Sequence, residues 1–147
     1  MSAKQLSIPE LLVVSRVIAV VGLSANPNRP SYEVAEYMQE QGYRIIPVNP
    51  TYEGTTILGE YCYPSLGEAA AALAEEGASI DIVDCFRRSE AIEEIADQAI
   101  AIGARCLWMQ EGVFNQAAAS KAIKAGMTVF MDNCLKVEHM RWELARE

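Results

Sequence analysis

Val17-Ile18-Ala19-Val20-Val21-Gly22-Leu23-Ser24-Ala25-Asn26-Pro27-Asn28-Arg29-Pro30-Ser31-Tyr32-Glu33-Val34 is an apolar run that ends in glycine, crosses a polar turn and enters a helix. Open α/β sheets build anion sites from this pattern, because a helix N-terminus carries unpaired N–H groups and about half a positive charge. The rest of the chain repeats the theme. Ile8-Pro9-Glu10 opens a short helix within residues 1–16, with proline well placed in its first turn. Strand one is Val17–Val21, and Ser31 is expected to cap a helix running to about Gln41, with Gly42 as its stop. Strand two is read as Tyr43–Val48, ended by Asn49-Pro50.

Residues 51–67 are rich in turn formers, and Ile57-Leu58-Gly59 reads as a short extra piece. Further helices are expected from Ser65 to Glu76, Ser89 to Ile102, Asn115 to Ala125 and Leu135 to Ala145, the last lying within 134–147. Between them lie strands over Ile80–Phe86, Ala104–Met109 and Met127–Met131. Apolar strands alternating with helices imply right-handed crossovers and a parallel sheet covered on both faces. The expectation is one domain over 1–147: an α/β, doubly wound, Rossmann-like parallel sheet of about five strands with helices on both faces.

Composition bounds the function. The 147 residues are 51% hydrophobic and 22% charged, with formal net charge −8. Nucleic acids and anionic membranes bind proteins through clustered Lys and Arg, so neither is an expected partner. An anionic ligand must be held by local geometry and a few arginines against an adverse mean field. Cys62, Cys85, Cys106 and Cys134 show no C-x-x-C pair, which fits a reducing cytosol, and one histidine among scattered thiols gives no metal site. The apolar stretch Leu11–Leu23 is broken by Arg16 and is too short for a membrane span of about 20 residues. It also lacks the basic leader of a secretory signal. A soluble, cytoplasmic protein is expected.

Ligands in doubly wound sheets bind beyond the carboxyl ends of the strands. After strand one, Gly22 permits a tight turn, Ser24, Asn26 and Ser31 supply short polar groups, and Arg29 offers a two-pronged phosphate contact. After strand two, Asn49 and Pro50 stand where a nicotinamide enzyme usually places an acid for the adenosine ribose. After strand three, Phe86 suits contact with a base or an apolar arm, and Arg87 or Arg88 suits a phosphate. After strand four, Gln110, Gly112 and Val113 border the same end of the sheet. A Cys134–His139 nucleophile pair is poorly spaced, five residues apart on one helix, and no carboxylate pair presents itself. No catalytic constellation is expected.

Taken in order, Gly22-Leu23-Ser24-x-Asn26-Pro27-x-Arg29-x-Ser31, Val48-Asn49-Pro50, Ser65-Leu66-x-Glu68-Ala69, Val83-Asp84-x-Phe86-Arg87, Trp108-x-Gln110-x-Gly112-Val113 and Asp132-x-Cys134-x-Lys136-x-Glu138-His139 resemble the small single-domain coenzyme A-binding proteins. These are similar to the nucleotide-binding domain of the succinyl-CoA synthetase α subunit. The resemblance spans about Ile8 to Leu144. It implies a Rossmann-like domain that holds coenzyme A or an acyl-CoA. The Gly22–Ser31 loop would take the phosphates, Asn49 and Pro50 the adenosine part, and Phe86, Arg87 and Gln110–Val113 the remainder. It does not carry over ligase activity, because the synthetase's phosphorylated histidine and ATP-grasp partner have no counterpart in this sequence. Two other readings stand beside it. One is an NAD(P)-dependent oxidoreductase, which Asn49, Ser24 and Pro27 disfavour. The other is an interaction module or homo-oligomer using the last helix, through Leu135, Met140, Trp142 and Leu144.

Overall fold

The computed structural model describes residues 5–147. In chain order its elements are α1 (Ile8–Val14), β1 (Val17–Val21), α2 (Pro30–Glu40), β2 (Arg44–Val48), β3 (Thr56–Ile57), β4 (Glu60–Tyr61) and α3 (Leu66–Glu75). There follow β5 (Ile82–Cys85), α4 (Ile92–Ala101), β6 (Cys106–Met109), α5 (Gln116–Lys124), β7 (Thr128–Phe130) and α6 (Leu135–Ala145). Five strands form one parallel sheet in the order β2-β1-β5-β6-β7, while β3 and β4 make a separate antiparallel pair. This is the expected α/β, Rossmann-like sheet.

All five residues of β1 are buried, because helices cover both faces of the sheet. Alternation splits the apolar side chains into two layers. Ala19, Val21, Val83 and Leu107 pack with Leu66 and Leu73 of α3, Ile95 of α4 and Ala118 of α5. Ile18, Val20, Ile82 and Trp108 pack with Leu11 of α1, Val34 and Met38 of α2 and Leu135 of α6. The open edge of β7 is covered by Gln5 and Leu6. The Gln5 amide bridges Met127 and Val129, and the Leu6 N–H donates to Thr128 Oγ1. Such cover removes a free sheet edge.

From β1 the chain winds outward to β2, then returns past β1 to β5 and continues the other way. The winding therefore reverses between β1 and β5, and the tips of these strands meet at Gly22. The Gly22 N–H donates to Val48 O at 2.8 Å, and the Phe86 N–H donates to Val21 O at 2.9 Å. Gly22 has φ +93°, and a Cβ there would lie 2.2 Å from the Phe86 carbonyl oxygen. Only glycine fits.

Several boundaries differ from expectation. Ser31 does not cap α2: Pro30 takes a first-turn position, Arg29 becomes the N-cap, and Ser31 lies inside the helix. Ser89 opens a short 3-10 turn over Ser89–Ala91 instead of capping α4 directly. Ser65 and Asn115 do cap their helices, each accepting from the backbone N–H three residues on. The expected strands over Tyr43–Val48, Ile80–Phe86, Ala104–Met109 and Met127–Met131 are trimmed, because burial of their flanking residues extends beyond the paired ladder.

Gly22→Ala is expected to lower unfolding free energy by about 3 kcal/mol or more, combining left-handed strain with a backbone clash. Gly77, with φ +76° and open space around its Cα, serves as control. Gly77→Ala should cost about 1–2 kcal/mol from strain alone. Denaturant unfolding of both variants measures the difference.

Candidate functional site

The strand tips at the reversal, with the first turns of α2 and α6, enclose a cleft of about 980 Å³. This lies near the top of the range of about 300–1,000 Å³ that small-molecule and cofactor sites occupy. Its walls come from every strand tip named in the sequence. Gly22 and Ser24 follow β1, Asn49 follows β2, Phe86, Arg87 and Arg88 follow β5, and Gln110, Gly112 and Val113 follow β6. Arg29, Ser31 and Val34 reach it from the start of α2.

The loop after β1 is held by its own short side chains. Ser31 Oγ accepts from the Ser24 N–H at 3.0 Å, Ser24 Oγ accepts from the Asn26 N–H, and Asn26 Oδ1 accepts from the Asn28 N–H. Asn26 thus serves the turn, is exposed, and lies outside the cleft wall. Pro50 also lies outside the wall, where it opens a 3-10 turn over Pro50–Tyr52. The other ten proposed residues all line the cleft.

Asn49 has a structural task that explains why no acid stands there. It is buried, its Nδ2 donates to Leu23 O at 3.0 Å, and its Oδ1 accepts from the Thr51 N–H. A carboxylate could not donate to Leu23 O, so the β1 and β2 loops would lose their tie. The amide at this position belongs to the scaffold.

Electrostatics separate the cleft from the rest of the surface. Arg29, Arg87 and Arg88 line it, and no ion pair or side-chain hydrogen bond engages any of them among the described residues. Glu111 is the lone acidic residue on the wall. α2 has no side-chain cap hydrogen bond; Pro30 carries no N–H, the Tyr32 and Glu33 N–H groups donate to Arg29 O, and the Ser31 N–H is left without a partner among the described residues. Three guanidiniums without a partner among the described residues, beside a helix N-terminus with no side-chain cap, give this cleft a positive lining.

Pro30, Val34, Thr51, Tyr52, Glu111 and Cys134 also line the cleft without standing among the expected binding residues, and Arg88, expected as an alternative to Arg87, lines it together with Arg87. Arg88 and Thr51 directly follow residues that were chosen. Val34 and Cys134 come from helices, and only their place one turn into α2 or at the N-cap of α6 signals them. His139 takes no part in the cleft: it is buried against Tyr37, whose hydroxyl lies 2.8 Å from Nδ1, and the rings of Tyr43 and Trp142 flank it edge-on. A Cys134–His139 pair is therefore not assembled. No helix among the described residues is long and apolar enough to cross a membrane.

Comparison with known proteins places the chain. Residues 16–140 match the family model described as a CoA binding domain, and the chain belongs to that family. YneT of Bacillus subtilis (strain 168) is 42% identical over 133 residues, covering 90% of this chain and 91% of that protein. A solved Thermus thermophilus structure superposes with TM-score 0.83 at 32% identity, covering 92% of this chain and 98% of the other. A Pyrococcus horikoshii OT3 structure gives TM-score 0.81 at 35% identity, covering 96% and 97%.

Beneath the cleft lies one unusual group. Asp84 of β5 is 1% exposed and sits in register between Val20 of β1 and Trp108 of β6. Neither carboxyl oxygen has a hydrogen-bond partner. Burial pushes its pKa well above the usual carboxylate value, so the acid takes up a proton on folding. The folded state then binds more protons than the unfolded one, and stability falls as pH rises from about 4 until the folded-state pKa is passed. The slope reaches at most about 1.4 kcal/mol per pH unit. Asp84→Asn keeps the shape and removes the titration. Its melting temperature relative to the parent should rise from pH 5 to pH 8, as calorimetric melts at the two pH values will read.

Proposed function

We propose that this chain binds coenzyme A or an acyl-coenzyme A in the cleft at its strand tips, as a single-domain cytoplasmic binding module that breaks no bond in its ligand by acid–base chemistry. The observation that carries this reading is the set of unpaired arginines, Arg29, Arg87 and Arg88, on one cleft of a chain with net charge −8. Coenzyme A presents a pyrophosphate and a ribose 3′-phosphate, and planar guanidiniums meet such groups two bonds at a time. At the start of α2 the Ser31 N–H is the backbone donor left for the pyrophosphate.

Beyond the phosphates, the ligand changes character, and so does the cleft. The pantetheine arm is a thin chain with amides spaced along it. Phe86, Gly112 and Val113 offer an apolar track, with glycine leaving room at its edge. Membership of the CoA binding domain family supports the same ligand class.

Titration calorimetry with coenzyme A tests the reading, with Arg29→Ala and Arg87→Ala as variants. Each substitution should weaken binding about tenfold or more, since a hydrogen bond to a charged group contributes about 1.5–3 kcal/mol. Higher salt should weaken binding further, because exposed charge contacts are screened. Coenzyme A should raise the melting temperature of the parent protein by mass action. Absence of both heat and thermal shift at millimolar coenzyme A would overturn the proposal.

A further inference from the structure

We infer that Cys134 is where this cleft holds a coenzyme A group covalently, as a mixed disulfide with the ligand's own thiol. The inference rests on the coenzyme A reading above and goes beyond it by giving the thiol end a reacting partner. It begins from a contrast among the four cysteines, all free. Cys85 and Cys106 are strand residues with no exposed surface, and burial pushes both thiols well up, which makes them inert. Cys62 is fully buried, with Sγ lying 3.5 Å from Asn49 O. Cys134 alone is partly exposed and alone lines the cleft.

A second group points to a ligand beside it. Gln110 is 4% exposed and lines the same cleft. Its Oε1 accepts from the N–H of Leu135, the residue next to Cys134, and so fixes the amide against the first turn of α6. That anchoring leaves Nε2 with no protein partner among the described residues. That donor keeps contact with solvent at the cleft wall, where it is free to donate to an acceptor bound in the cleft. A carbonyl of the pantetheine arm is such an acceptor.

Sheet order sets the direction of the ligand. Strand tips follow one another as β2, β1, β5, β6 and β7, and at about 4.8 Å per step they fan across about 19 Å. The uncapped start of α2 and Arg29 follow β1, at the near side of the fan. Gln110 follows β6, and Cys134 follows β7 at the far side. A ligand with its phosphates at α2 and its arm along Phe86 and Val113 brings its thiol to the Gln110–Cys134 corner.

The step is thiol–disulfide exchange with coenzyme A disulfide. The Cys134 thiolate attacks one sulfur of that disulfide, a Cys134–coenzyme A S–S bond forms, and the original S–S bond breaks. The second coenzyme A leaves as a thiolate and takes the proton that Cys134 gave up. Coenzyme A disulfide is the oxidant: Cys134 is oxidised to the mixed disulfide, one coenzyme A is released as the reduced thiol, and a dithiol reverses the reaction.

Intact-protein mass spectrometry of the reduced protein with coenzyme A disulfide tests this. The expected result is one adduct, equal to coenzyme A less two hydrogens, mapped to Cys134 and removed by dithiothreitol. Recognition of the nucleotide should make it form at least about tenfold faster than the glutathione adduct from glutathione disulfide, by proximity. An analogue of coenzyme A lacking the sulfur should protect. Cys134→Ser should lose the adduct, while the parent protein binds coenzyme A by calorimetry. No adduct, an adduct on another cysteine, or equal rates without protection overturns the inference while binding by calorimetry leaves the functional reading standing. Loss of calorimetric binding in the parent overturns both.

Discussion

The fold depends on a contact between Gly22 and the backbone of Phe86. Winding reverses between β1 and β5, and the two chains leave their strands so close together that no Cβ fits between them. The same contact sets the floor of the cleft. The Arg87 side chain runs past Gly22, with its Cδ 3.4 Å from where a Cβ would stand. A larger residue would push apart the strand tips and displace an arginine that faces the open space. One absent side chain therefore serves both the sheet and the site.

Around that floor, polar groups divide by whether the protein uses them itself. Ser24, Asn26, Ser31 and Asn49 direct their hydrogen bonds inward, stiffening the loops after β1 and β2. Ser7, Ser65 and Asn115 cap α1, α3 and α5 in the ordinary way. By contrast, α2 has no side-chain cap and α6 is tied through Gln110 from β6, and both helices begin at the cleft. The guanidiniums of Arg29, Arg87 and Arg88 and the Gln110 Nε2 remain available. The scaffold satisfies its own loops and leaves donors facing one space, so positive charge is concentrated at one cleft of an acidic chain.

Much of this was legible because burial and turn chemistry leave marks on single residues. Val17–Val21 ending in Gly22 announced the central strand, and glycines after the helices marked their stops. What misled was local ambiguity. A serine near a helix start reads as a cap, yet Pro30 fixes the first turn one residue earlier and turns Ser31 into an acceptor for Ser24. Ser89 is likewise spent elsewhere: its Oγ accepts from the Phe114 N–H. Strand ends were set too wide because residues such as Ile80 and Met127 are buried without joining the ladder. In the site, positions at strand tips were found, whereas Val34, Tyr52 and Cys134 were not. These come from helix faces and turns that meet the cleft only through tertiary packing, and no local pattern encodes that meeting.

Asp84 and His139 show how two buried titratable groups shape the response of this fold to pH. Burial, the larger influence on His139, lowers its pKa, with Glu143 opposing. The unfolded chain therefore takes the proton first as pH falls below about 6.5, and His139 loses stability toward acid. Asp84 acts in the opposite sense, since its folded form holds a proton that the unfolded chain has released above about 4. Between those values the two groups therefore act in opposite senses. The acid beneath the cleft thus gives up stability at neutral pH. Nothing in its own packing repays this, since no donor reaches either oxygen.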